Sequence, residues 1–189
     1  KPYFNHLVVE DSDLGPSNCV TTGKSMSKER VLNLYERGLA IGKSSKQPIL
    51  ISESVPGGTT TAQAVMEAFG LRVSNLIGSS LYKAPRELRR SVVQRGLMNA
   101  NLKTDFDSFD VVASVGDPFQ AFSMGLLLGA RIVNQPVILS GGSQMVAVIL
   151  LVLELLGKKN KDDFIEDVFV ATTGWLIKDN SLNELLNLI

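Results

Sequence analysis

One cysteine, one histidine and no surplus of charge are what this 189-residue chain offers, and each scarcity removes a class of function. Cys19 alone cannot close an internal disulfide, which fits a reducing, cytoplasmic setting. His6 has no Cys/His cluster to join, which argues against a zinc site; its plain reading is a strand-edge residue. Lys plus Arg and Asp plus Glu both number 19. A balanced charge argues against a general nucleic-acid binder, which carries a basic excess. The longest apolar stretch, residues 145–156, is interrupted by Glu154 and is too short to span a bilayer, so it reads as a buried helix and no membrane association is expected. Residues 1–9 lack the layout of a signal peptide, and Lys1 is not an initiator, so the chain is expected to begin inside a longer gene product. No Gly-Lys-Ser/Thr follows the paired glycines, no G-x-G-x-x-G opens a helix, and no nucleophile elbow is present. Repeats and heptads are missing too.

What is present is an alternation. Apolar β-type runs at 6–9, 48–51, 109–115, 136–139 and 167–171 are interleaved with helical patterns at 25–38, 60–69, 85–97, 119–130, 144–156 and 181–189. Residues 10–22 read as a polar surface loop and 77–84 as a turn-rich segment. Continuous apolar strands between helices predict an α/β fold, a mostly parallel sheet with helices on both faces. The length fits a single domain over residues 1–189. Four turns at expected strand ends carry glycine or small polar residues: 53–61, 116–118, 140–142 and 172–174. In open parallel sheets the ligand sits outside the carboxyl ends of the strands, so these turns should share one crevice.

The first turn is the richest. Residues 52–62 read S-E-S-V-P-G-G-T-T-T-A, between a strand and a helix. Gly57 and Gly58 let a ligand approach the backbone, and the helix behind them offers free N–H groups and a positive dipole end to a phosphate. Thr59, Thr60 and Thr61 either cap the helix or donate hydroxyls to the same anion, and Glu53 stands at the rim. Two readings compete, a phosphate cradle and a threonine-capped turn; the convergence of four turns favours the cradle. Elsewhere, Lys83, Arg86, Arg89, Arg90 and Arg95 make a basic helix whose plain reading is a solvated face. Alternatively, one guanidinium reaches a ligand carboxylate or phosphate. Gly116-Asp117-Pro118 reads as a turn with Asp117 capping the next helix, or alternatively places Asp117 near the ligand, with the turn favoured; Ser140-Gly141-Gly142 reads as either tight packing or close approach to a ligand.

Three segments carry a resemblance: E-S-V-P-G-G-T-T-T-A (53–62), V-G-D-P-F-Q-A (115–121) and V-I-L-S-G-G-S-Q-M-V-A-V (137–148). They resemble the nicotinate-nucleotide–dimethylbenzimidazole phosphoribosyltransferase family, in its archaeal and cyanobacterial branch. T-T-G-K-S-M-S (21–27) is similar to the segment before the helix that precedes the cradle. The resemblance implies a Rossmann-like fold, usually in a homodimer, with no metal or redox cofactor. It implies transfer of 5-phosphoribose from nicotinate mononucleotide to an aromatic base of the benzimidazole type, the lower ligand of cobamides. By the same resemblance Glu53 is the glutamate that opens the phosphate loop and the catalytic residue expected here. Gly57, Gly58, Thr59 and Thr60 wrap the nucleotide phosphate, with Ser140, Gly141 and Gly142 near the ribose phosphate. Arg89 falls nearest the basic residue that meets the nicotinate carboxylate.

The chain also departs from the family pattern. The bacterial enzymes have Gly-Asn-Thr-Thr at Gly58-Thr59 and Asp-Gly at Ser140-Gly141. Their general base is a glutamate in a glycine-rich segment near the C-terminus, and nothing after Gly174 matches it. A chain truncated at both ends relative to the family is therefore expected. A non-catalytic nucleotide- or phosphosugar-binding protein lacking that glutamate is the alternative function.

Overall fold

The structure, a computed structural model, describes residues 3–78, 85–157, 161–178 and 180–189. Residues 79–84, most of the expected turn-rich segment and its Lys83, lie outside the described residues.

Three short strands form the sheet: β1 (Ile49–Ser52), β2 (Val137–Ser140) and β3 (Val168–Ala171). They are parallel and lie in the order β1-β2-β3, with Ile49 beside Val137 and Val137 beside Val168. The α/β expectation with a parallel sheet is met, and these three strands sit where the apolar runs placed them. Alternation then sorts the side chains. Ile51, Val137 and Leu139 are buried in the core, while Leu50, Ile138 and Phe169, neighbours across the register, form an exposed apolar row on the other face.

Two expected strands are corrected. Residues 6–9 form no strand and lie in irregular chain. Residues 109–115 are helical, within α4 (Ser108–Val115). Asp107 starts that helix: its side chain accepts from Asp110 N–H at 2.8 Å while the Asp110 carboxylate accepts from Asp107 N–H at 3.2 Å, a reciprocal capping box. Val111, Val112 and Val115 then fall on one buried helical face. A short valine-rich run has the composition of a strand, and periodicity alone cannot separate it from a buried helical turn.

The other helices follow the pattern more closely. α1 (Lys28–Ser44) is capped by Ser27, whose Oγ accepts from Arg30 N–H at 3.1 Å. α2 (Gly58–Ala68) follows β1, and Gly70 at φ 85° turns the chain out of it. α3 (Arg86–Ala100) and α4 lead to α5 (Pro118–Ile132). α6 (Ser143–Leu156) follows β2 and is buried from Ser143 to Leu153, which makes it the centre of the core. α7 (Lys161–Ile165), α8 (Gly174–Lys178) and α9 (Ser181–Asn187) complete the α-helices among the described residues, and two short 3-10 turns, Ser12–Leu14 and Val20–Thr22, precede α1.

α1 and α5 touch through glycine. Gly38 and Gly42 on α1 meet Gly125 and Gly129 on α5. A Cβ on Gly38 would overlap Phe122 O, one on Gly42 Leu126 O, one on Gly125 Tyr35 O, and one on Gly129 Leu39 O. Each obstacle is backbone, so no side-chain rotation relieves it, and the two helix axes must separate to admit a methyl. Gly125→Val is expected to lower stability by about 3 kcal/mol, the upper end for overpacking. Gly174→Ala, with nothing near its Cβ, is expected to stay within about 0.5 kcal/mol of the parent. Urea unfolding compares the two; equal midpoints would contradict the close helix contact.

Candidate functional site

The strands all point the same way, so their carboxyl ends share one edge. β1 runs into the loop 53–57 and α2, β2 into Gly141-Gly142 and α6, and β3 into Thr172-Thr173 and α8. A cleft of about 1090 Å³ opens there. Its described walls are residues 53–59, Gly78, Gly142 to Gln144, and Thr173 with Trp175 and Leu176. Three of the four expected turns therefore converge on it. The fourth, 116–118, follows a helix rather than a strand, yet it reaches the floor of the site through Asp117.

Asp117 is 2% exposed and its carboxylate is fully engaged. Oδ1 accepts from Gln120 N–H at 2.9 Å, and Gln120 Oε1 accepts from Asp117 N–H at 3.2 Å, so the pair caps α5. Oδ2 accepts from Gln144 Nε2 at 2.9 Å and from the Thr61 hydroxyl. Gln120 Nε2 donates to Gln144 Oε1 at 2.8 Å, closing the ring. Thr61 Oγ1 also lies 3.0 Å from Gly58 O, but its single proton goes to the stronger, charged acceptor. One carboxylate thus binds the first turns of α2, α5 and α6 together. Gly58 shares the constraint: a Cβ there would stand 2.7 Å from Gln144 Nε2.

The three helix starts then differ. α5 is capped by Asp117, with Pro118 in its first position, whereas α2 and α6 begin at Gly57 and Gly142 with no side-chain cap. Gly57 is left-handed at φ 79°, where glycine avoids steric cost. Thr60 N–H donates to Gly57 O at 2.8 Å, Met145 N–H to Gly142 O at 2.9 Å, and Gly58 N–H to Val55 O at 3.0 Å. No acceptor among the described residues takes the N–H of Gly57, Thr59, Ser143 or Gln144. Both uncapped ends open onto the cleft. The threonine cap considered from the sequence is not formed: the helix begins at Gly58 with Gly57 in the cap position, so Thr59, Thr60 and Thr61 lie inside its first turn, and the Thr61 hydroxyl is turned to Asp117.

The expected site residues separate into two sets. Glu53, Gly57, Gly58, Thr59 and Gly142 line the cleft. Thr60, Ser140 and Gly141 are not among its described walls; Gly141 N–H continues the sheet by donating to Ala171 O at 2.9 Å. Glu53 is exposed, and one carboxylate oxygen accepts from Val55 N–H at 2.6 Å, which holds it against its own loop. It is the only charged side chain among the described walls. Arg89 is elsewhere: 4% exposed, it donates to Gln63 Oε1 at 2.8 Å, Ile77 O at 3.0 Å and Gly78 O at 3.1 Å. Burial pushes its guanidinium below the ordinary arginine range, with Arg86 adding to the effect. Glu67, which accepts from Gln63 at 2.8 Å, is pushed up by burial. Arg86, Arg90 and Arg95 are exposed, as a solvated helix face requires. Among the described residues no group of three or more His, Cys, Asp or Glu could hold a metal, and no helix is long and apolar enough to cross a membrane.

The comparisons with known proteins fit this frame. The sequence profile of a family described as phosphoribosyltransferase matches residues 12–157, well over half of the chain. The chain belongs to that phosphoribosyltransferase family. A UPF0284 protein of Prochlorococcus marinus strain MIT 9312 is 90% identical over 189 residues, which cover all of this chain and 49% of that protein. The chain thus spans about half the length of the curated relatives it matches. CobT from Thermus thermophilus superposes with a TM-score of 0.69 at 17% identity, over 89% of this chain and 51% of its own. A nicotinate-nucleotide-dimethylbenzimidazole phosphoribosyltransferase from the same organism gives 0.68 at 18%, over 89% and 50%. These two show a shared fold, and the family membership rests on the profile.

Three features of this family member escaped the sequence reading. Gln120 follows Asp117 at capping-box spacing, a signal that was legible. Gln144 sits in the first turn of an apolar helix, where its buried contact with Asp117 has no local signature. Trp175 and Leu176 follow the third strand-end turn directly and were passed over. Removing the carboxylate tests the network. Asp117→Ala loses a cap and strands buried donors, and is expected to cost about 3 kcal/mol. Asp117→Asn keeps the cap through its side-chain oxygen, but flipping the Gln144 and Gln120 amides to suit its NH2 group turns Gln120 Nε2 against the residue-117 N–H and leaves two donors without acceptors, so it is expected to cost about 2 kcal/mol. Chemical denaturation measures both, and equal losses would contradict the ring of bonds.

Proposed function

We propose that this chain is the nucleotide-holding part of an enzyme that moves 5-phosphoribose from nicotinate mononucleotide to a benzimidazole-type base. The observation that carries the reading is the pair of uncapped helix N-termini, α2 and α6, opening side by side onto one cleft. With no Lys or Arg among the described walls, a phosphate there is held by N–H groups and helix dipoles, to which a dianion is well suited. Gly57, Gly58, Thr59 and Gly142 are assigned to that phosphate, with Thr60, Ser140 and Gly141 shaping the loops behind them. No metal or redox cofactor enters the proposal.

The proposed reaction is a substitution at the anomeric carbon. A base nitrogen forms the new C–N bond as the bond to nicotinate breaks, and its electron pair leaves with the pyridine ring. Positive charge gathers on the ribose, and Glu53 at the rim stabilises it or orients the incoming base. A second carboxylate must take the proton from the base. Binding the phosphate away from the reacting carbon supplies the orientation. Arg89 acts at one remove, holding the Ile77 and Gly78 carbonyls and with them one wall of the cleft. A homodimer is the assembly the resemblance implies.

One observation favours the second reading, a binding protein without turnover: Glu53 is the only carboxylate among the described walls. Calorimetric titration of this chain with nicotinate mononucleotide tests the phosphate assignment. Saturable binding is expected, weakened at least tenfold in Gly58→Val, whose Cβ displaces the Gln144 side chain. Unchanged binding in that variant would place the phosphate elsewhere. Nicotinate release by the longer protein, with a base supplied, would exclude the binding-only reading.

A further inference from the structure

The cleft has two chemically different kinds of wall. One is made of the N–H groups at the starts of α2 and α6. The other is apolar: Val55 and Pro56 from the first loop, and Trp175 and Leu176 from α8. Leu176 seats α8, since a Cβ on Gly78 or on Gly142 would stand 3.0 Å from one of its methyl groups. Leu176 N–H donates to Thr173 O at 3.1 Å, which ties the same turn to the end of β3. Trp175, one residue earlier, is thereby fixed at the cleft with its side chain 81% exposed. It is the only tryptophan in the chain. A large aromatic surface is left in water at the wall of a cleft onto which two uncapped helix N-termini also open.

We infer that Trp175 is the stacking surface for a planar heteroaromatic ring of the ligand, and so a specificity-determining residue of this site. The inference rests on the proposed function and deepens it: phosphate at the helix ends, ring on the indole. Offset stacking needs an exposed π face, and Trp175 presents one in a cleft that Val55 and Pro56 also line. The same chemistry belongs to two rings, that of the bound nucleotide and that of the incoming base. Lys178, one turn later, has its Nζ 5.9 Å from the indole centroid. A cation there helps to fix the ring plane.

A single tryptophan makes the test direct. Fluorescence of Trp175 is followed while nicotinate mononucleotide, free benzimidazole or ribose 5-phosphate is added. Saturable quenching by at least one ring-bearing ligand and none by ribose 5-phosphate is expected. Quenching by the nucleotide alone assigns its own ring to the indole, and quenching by benzimidazole assigns the incoming base. Trp175→Ala is expected to weaken the quenching ligand about tenfold by calorimetry, with ribose 5-phosphate affinity unchanged and Trp175→Phe restoring most of the loss. Ring-bearing ligands that bind with normal heat but neither quench nor respond to Trp175→Ala would overturn the inference and leave the phosphate assignment standing. Absence of heat from the nucleotide and from ribose 5-phosphate would defeat both.

Discussion

The buried carboxylate of Asp117 is the constraint on which the site depends. It sits where three helices begin and is bonded by neutral donors from all three: the Thr61 hydroxyl of α2, the Gln120 amide N–H of α5 and the Gln144 side chain of α6. A buried carboxylate deprived of its partners costs several kcal/mol, so the helix starts cannot drift apart independently. Around that point the sheet needs to do little. Three strands of four residues each suffice to aim the loops, because the loops are held from below.

The same arrangement decides which helix ends remain open. Asp117 and Pro118 satisfy the start of α5 and withdraw it from ligand chemistry. The Thr61 hydroxyl, in the first turn of α2, is committed to Asp117. Gly57 and Gly142 have no side chain with which to cap. Two positive helix ends are left facing one cleft, and side chains approach the glycines there closely: Gln144 at Gly58, and Leu176 at Gly142. The packing that stabilises the fold and the exposure that suits an anion arise from one set of contacts.

Much of this was legible in the sequence. The apolar runs before residues 53, 140 and 172 marked all three strands, and the glycines after them marked the edge that matters. The failures have physical causes. Residues 109–115 have strand composition but obey a capping box two residues upstream. Arg89 looks like its exposed neighbours Arg86 and Arg90, but α3 turns it inward, onto carbonyls at residues 77 and 78 that no local pattern announces. The contact of Gln144 with Asp117 spans 27 positions and is visible only once α5 and α6 are packed. The exposed row Leu50, Ile138 and Phe169 follows from strand alternation, but nothing in the strands says that this span leaves it uncovered.

If Asp117 sets which helix ends stay open, α2 and α6, and not α5, bind the anion. Backbone amide chemical shifts during titration with ribose 5-phosphate test it residue by residue. Saturating shifts are expected at Gly57, Thr59, Ser143 and Gln144 with one common affinity, and none at Phe119 or Gln120 in the capped start of α5. Shifts centred on α5, or at α2 and α6 with unrelated affinities, would contradict it.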